Sequence, residues 1–155
     1  MKAVTFNPTE NTFAVRDLPF PKLGSNDVLV KVKACGLTPY DAKISLWKHM
    51  VPGMTDSWVP GLDVSGEVVE IGKKVTRWKP GDRVLYHGYM LRPHGGFAEY
   101  AVQNEEAILH NPILPHDIAY CVFISFYRKP TSVIIGIVRS RCTLCISIFN
   151  SLKFS

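Results

Sequence analysis

The sequence predicts a small, mainly β domain, a barrel or sandwich interrupted by one short helix. Three observations predict it. Over residues 1–119 short runs of alternating apolar residues recur, Gly and Pro break those runs at turn-like intervals, and one clear helix-start signal stands at Thr38. A chain of 155 residues, 46% hydrophobic and 20% charged, supports one sizeable core and hardly two.

The segment from Asp27 to Ala34 is the clearest strand. Val28, Val30, Val32 and Ala34 fall on one face, and Leu29, Lys31 and Lys33 on the other, which predicts a buried face and a solvated one. Val64 to Ile71 is rich in β-branched residues and ends in a turn at Gly72-Lys73-Lys74, after which Val75 and Trp78 resume the apolar pattern. Pro80-Gly81-Asp82 is a second turn, leading into a strand over Arg83-Val84-Leu85-Tyr86. Beyond a looser stretch from Tyr89 to His94, Gly95-Gly96 introduces a strand over Phe97 to Val102.

The helix starts at Thr38 as N-cap, with Pro39 in the first turn and Asp41 three residues after the cap, the spacing of a reciprocal capping pair. Ala42, Ile44, Leu46 and Trp47 continue it as a short, partly buried segment until Pro52-Gly53.

Charge divides the chain. Residues 1–119 carry 13 Lys/Arg and 13 Asp/Glu, so the whole excess of +5 sits in residues 120–155, which hold no acid. We therefore place a boundary at Ala119, between a domain at 1–119 and a divergent basic, apolar tail at 120–155, irregular or poorly ordered and not a domain of its own. The apolar runs of the tail are too short to span a bilayer, and its five cations lack a nucleic-acid-binding motif, so neither a transmembrane segment nor a nucleic-acid partner is expected. The N-terminus lacks the apolar core of a secretory signal, and Cys35, Cys121, Cys142 and Cys145 form no disulfide framework, which points to the cytoplasm. The lone Cys142-Thr143-Leu144-Cys145 is weak evidence for metal or redox chemistry. The five histidines, His49, His87, His94, His110 and His116, show no metal-binding spacing and default to surface or satisfied loop positions.

Four segments carry a family resemblance: Val32-Lys33-Ala34-Cys35-Gly36-Leu37-Thr38-Pro39-Tyr40-Asp41; Pro60-Gly61-Leu62-Asp63-Val64-Ser65-Gly66-Glu67-Val68-Val69-Glu70-Ile71-Gly72; Lys79-Pro80-Gly81-Asp82-Arg83-Val84; and Gly96-Phe97-Ala98-Glu99-Tyr100. In this order they resemble the N-terminal, GroES-like domain of the medium-chain dehydrogenase/reductases, over Met1 to about Asp117. The resemblance implies a partly open β-barrel that forms one wall of a substrate cleft. Zinc-dependent members take ligands from a cysteine and a histidine at the positions of Thr38 and Leu62. Threonine is a poor zinc ligand and leucine is none, so no catalytic zinc is expected. No cysteine lies between Cys35 and Cys121, so the structural zinc lobe is missing too.

What remains resembles the quinone oxidoreductase branch, which reduces quinones or activated alkenes with hydride from NADPH and is often homodimeric. That implies a carbonyl, quinone or enone substrate and a cleft lined by Thr38, Tyr40 and Asp41, where Thr38 or Tyr40 could donate to a substrate carbonyl. Capping explains Thr38 and Asp41 without any substrate. Asp63 follows the zinc-histidine position, and its simplest role is a hydrogen-bonded turn or strand-start acid. Trp47 and Trp58 could flank the cleft, although aromatic residues are more often core.

No strand leads into G-x-G-x-x-G, and Gly136 is the single glycine after Gly96, so the Rossmann half is expected to be absent and this chain alone to bind no NADPH and to be inactive. The composition change near Ala119 raises a truncated, misassembled or alternatively spliced product as its origin. A non-enzymatic interaction module, using the barrel and the basic tail, is the competing reading.

Overall fold

The computed structural model describes residues 1–111 and the backbone of Ile137–Arg139. The boundary at Ala119, His116, the CxxC pair and almost all of the tail lie outside the described residues.

The expected mainly β architecture is present. Strands β1 (Lys2–Asn7) and β2 (Thr12–Asp17) form an antiparallel hairpin, from Lys2 opposite Asp17 to Asn7 opposite Thr12. A larger antiparallel sheet runs in the order β6 (Tyr100–Asn104), β3 (Asp27–Gly36), β4 (Asp63–Ile71), β5 (Arg83–His87), β7 (Leu109–His110). A further strand, β8 (Ile137–Arg139), pairs with Ala34–Gly36 of β3. The hairpin joins the sheet through an Ala3–Ala98 bridge, while the Phe6 amide donates to the Trp58 carbonyl at 2.8 Å.

The alternation of β3 holds for its inner face: Val28 and Val30 are fully buried, Val32 and Ala34 nearly so, and Lys31 is exposed. Each valine so buried is worth about 1.5–3 kcal/mol. Leu29 corrects the expectation of a solvated opposite face, being only 7% exposed. It stands opposite Val102 of β6, and the loop after β5 closes over that side: Arg92 donates to Asp27 Oδ2 at 2.9 Å, and the Val102 amide to the His94 carbonyl at 3.2 Å.

The predicted turn at Pro80-Gly81 forms, with Gly81 at φ +92° and the Asp82 amide donating to the Lys79 carbonyl at 3.1 Å. The strand expected over Phe97 to Val102 begins later, at Tyr100, and runs on to Asn104. Residues 97–99 are used otherwise: Phe97 O accepts from Val4 N, Glu99 N donates to Lys2 O, and Glu99 O accepts from Val32 N, so this stretch crosses between β1 and β3.

The helical segment is shorter than expected. Helix α1 (Pro39–Ala42) and helix α2 (Ile44–Trp47) are single turns separated at Lys43, whose backbone (φ −105°, ψ 20°) leaves the helical region, and a 3-10 turn (Lys48–Met50) follows. Ile44 and Trp47 bury against Phe6, Val51 and Trp58 in a second core beside the sheet, while Leu46, expected to be partly buried, is 68% exposed. Among the described residues no helix is long and apolar enough to cross a membrane.

Candidate functional site

Local sequence builds the entrance to α1. Thr38 is extended (φ −105°, ψ 163°), its Oγ1 accepts from the Asp41 amide at 3.3 Å, and Asp41 Oδ2 accepts in return from the Thr38 amide at 2.8 Å. This is the predicted capping pair. The Thr38 hydroxyl also donates to Asp41 Oδ2 at 2.6 Å, so its proton is committed within the pair.

The second oxygen of Asp41 reaches across the fold, where Oδ1 accepts from the Gly61 amide at 3.0 Å. Gly61 adopts φ +103°, and a Cβ there would lie 2.6 Å from Phe97 N and 2.9 Å from Cys35 Sγ, so no other residue fits. Asp41 is 1% exposed. Burial raises its pKa from 3.8 to about 6, against the lowering effect of the Thr38 and Gly61 hydrogen bonds, with the charge of Asp63 adding to the rise.

Asp63 opens β4, facing Gly36 on one side and His87 on the other. Its Oδ1 lies 2.5 Å from His87 Nδ1, with the carboxylate buried and the imidazole 43% exposed. The strand-start role expected for Asp63 is thus filled by a cross-strand partner. His87 holds the surface position expected by default, at the exposed end of β5, and adds a bond to Asp63 that the sequence did not suggest.

Beside Asp41 and Gly61 opens a narrow crevice lined by Trp47, Trp58, Leu62, Tyr86, Tyr89, Met90, Arg92, His94 and Gln103. Trp47 and Trp58 are core residues, as aromatic residues more often are, and both also line the crevice. Arg92 is held by Asp27 Oδ2 and, at 3.5 Å, by Gln103 Oε1. Burial, with Arg92 alongside, lowers the pKa of His94, so its ring is neutral at pH 7. Tyr86 is 3% exposed, its hydroxyl has no hydrogen-bond partner, and burial pushes its pKa well above the ordinary value.

Of the sequence candidates, Thr38 and Asp41 come together, Asp63 lies near enough to act on Asp41 electrostatically, and Asp41 reaches the crevice wall. Tyr40 is 45% exposed and lends its carbonyl to Trp47 Nε1 at 2.8 Å. Sequence reasoning missed the places of Tyr86 and Arg92 on the crevice and the pairing of His87 with Asp63. For Tyr86 a signal existed: it shares the parity of Val84 in the predicted strand, and so its buried face.

Residues 24–113 match the alcohol dehydrogenase GroES-like domain family. A trans-enoyl reductase of Fusarium mangiferae is 37% identical over 112 residues, covering 72% of this chain and 28% of that protein. The quinone oxidoreductase of Sus scrofa is 38% identical over 95 residues, covering 61% and 27%. Among solved structures, a putative zinc-dependent alcohol dehydrogenase protein from Rhizobium etli superposes with a TM-score of 0.67 at 35% identity, over 77% of this chain and 36% of that one. The chain therefore spans under a third of the length of these two curated relatives.

Proposed function

Because this chain belongs to the alcohol dehydrogenase GroES-like domain family, within the quinone oxidoreductase-like medium-chain dehydrogenase/reductases, we propose that it forms the substrate-side half of a quinone or enone reductase. The observation that carries this is the aromatic and apolar surface beside Asp41 and Gly61 (Trp47, Trp58, Leu62, Tyr89, Met90), which suits one wall against a flat conjugated ring. Relatives named quinone oxidoreductase and trans-enoyl reductase support the same substrate class.

Zinc does not suit the donors present. The Thr38 hydroxyl is bonded to Asp41, Leu62 has no donor, and among the described residues no three His, Cys, Asp or Glu side chains converge. The reading is therefore of a zinc-independent enzyme. The dinucleotide is not suited either, since this sequence carries no G-x-G-x-x-G. Hydride delivery from NADPH is assigned to a separate nucleotide-binding domain, and this chain's share is to hold and orient the acceptor.

Purified chain mixed with NADPH and duroquinone tests the reading. It should oxidise no NADPH above the uncatalysed rate while still binding the quinone; sustained turnover by the chain alone would show that the division of labour is wrong.

A further inference from the structure

We propose that the ring of Tyr89 is the surface on which the acceptor rests, and that it favours an electron-poor ring such as a quinone over its reduced form; this deepens the substrate-side reading above and rests on it. Trp47, Trp58, Tyr86 and Tyr89 all line the crevice, but the first three are only 9%, 6% and 3% exposed. Tyr89 is 60% exposed. Because the space inside the crevice is about 20 Å³, enough for one water, a ring cannot slip between the buried residues and has to lie against what the mouth presents. The accessible aromatic face there is that of Tyr89.

The backbone around this exposed residue is held in place. On one side the Gly88 amide donates to the Leu62 carbonyl at 2.5 Å; on the other the Tyr89 carbonyl accepts from the Arg92 amide at 3.0 Å, and Arg92 is itself anchored on Asp27 and Gln103. The side chain then has only two torsions to settle when a ligand arrives. Other exposed rings lack this combination: Phe20 already packs against Tyr100 with centroids 4.9 Å apart, and Tyr40 does not line the crevice. Among the described residues no ring stacks on Tyr89. A phenol ring carries negative charge on its faces, and the two carbonyls of a quinone draw that charge out of its ring, so the pair attracts in an offset stack. A hydroquinone keeps its density and gains less.

Binding of duroquinone, and of durohydroquinone kept reduced in the absence of oxygen, is followed by amide NMR shifts in the full chain and in its Tyr89→Phe and Tyr89→Leu variants, with thermal unfolding as a check on the fold. At so exposed a position neither variant should disturb folding. Tyr89→Phe retains a ring and should bind duroquinone within about twofold of the unmodified chain, whereas Tyr89→Leu keeps apolar bulk without the ring and should bind it about three- to tenfold more weakly. The hydroquinone should bind the unmodified chain less tightly than the quinone does and lose little in either variant. Unchanged duroquinone affinity in Tyr89→Leu would overturn the inference and leave the substrate-side reading intact, the ring then resting elsewhere on the wall. Equal losses for quinone and hydroquinone would also overturn it, because bulk rather than ring electronics would then set the contact. Failure of duroquinone to bind the unmodified chain would overturn both the inference and the reading beneath it.

Discussion

Asp41 Oδ1 accepts a hydrogen bond from the Gly61 amide, 20 residues away in sequence, at 3.0 Å. With Oδ2 engaged by Thr38, one buried carboxylate ties the start of α1 to the loop before β4 and fixes the edge of the crevice. Asp41→Ala would leave the Thr38 and Gly61 amides and the Thr38 hydroxyl without their acceptor. The expected loss is about 3 kcal/mol or more of unfolding free energy in urea. Asp41→Asn keeps one carbonyl oxygen and should cost less, about 1–2 kcal/mol. Equal stability of the alanine variant and the unmodified chain would refute the tie.

The same residue sets a pH dependence. Its folded pKa of about 6 lies above the ordinary 3.8, so between these values the folded state holds more protons than the unfolded one. The contribution of Asp41 is therefore fully present below about pH 4 and is lost as pH rises through 6, a change of order 3 kcal/mol. Urea unfolding at a series of pH values should show this slope in the unmodified chain and a flatter one in Asp41→Asn. Identical pH profiles would remove Asp41 as the source.

Glycine substitutions should separate crowding from backbone conformation. Gly61 and Gly81 both have positive φ, but a Cβ at Gly61 collides with Phe97, Gly96 and Cys35, whereas one at Gly81 meets open space. Gly81→Ala should cost about 1–2 kcal/mol, and Gly61→Ala clearly more, to the point of preventing folding. Similar melting temperatures for the two variants would contradict the packing around Gly61.

How legible these features were depended on how local they are. The Thr38–Asp41 cap and the Pro80-Gly81 turn are written within four residues, and both form as read. The β1–β2 hairpin was not assigned: its turn places a non-glycine, Asn11, at φ 55°, and β2 is mostly exposed, so neither a turn glycine nor a strong apolar alternation marks it. The Asp63–His87 contact requires the β4–β5 register, and the burial of Leu29 requires the loop tied down by Arg92; neither follows from neighbouring residues. The helix read through to Trp47 fails at Lys43 because tertiary burial of Ile44 and Trp47 outweighs continuous helical geometry over so few residues.

Removing metal should change nothing. With Thr38 committed to Asp41 and leucine at position 62, dialysis against EDTA should leave the melting temperature of the chain unchanged, and elemental analysis should find no stoichiometric zinc. A fall of several degrees on chelation would demand a metal site that the described residues do not explain.

The most direct test of the central claim, that this chain holds the acceptor while the dinucleotide belongs elsewhere, is an NMR titration of the indole N–H signals of Trp47, Trp58 and Trp78. Trp47 and Trp58 wall the crevice, and Trp78 donates to the Glu105 carbonyl away from it. Duroquinone should shift the first two signals saturably and spare the third, and NADPH should shift none of them. Micromolar NADPH binding, or quinone shifts confined to Trp78, would contradict it.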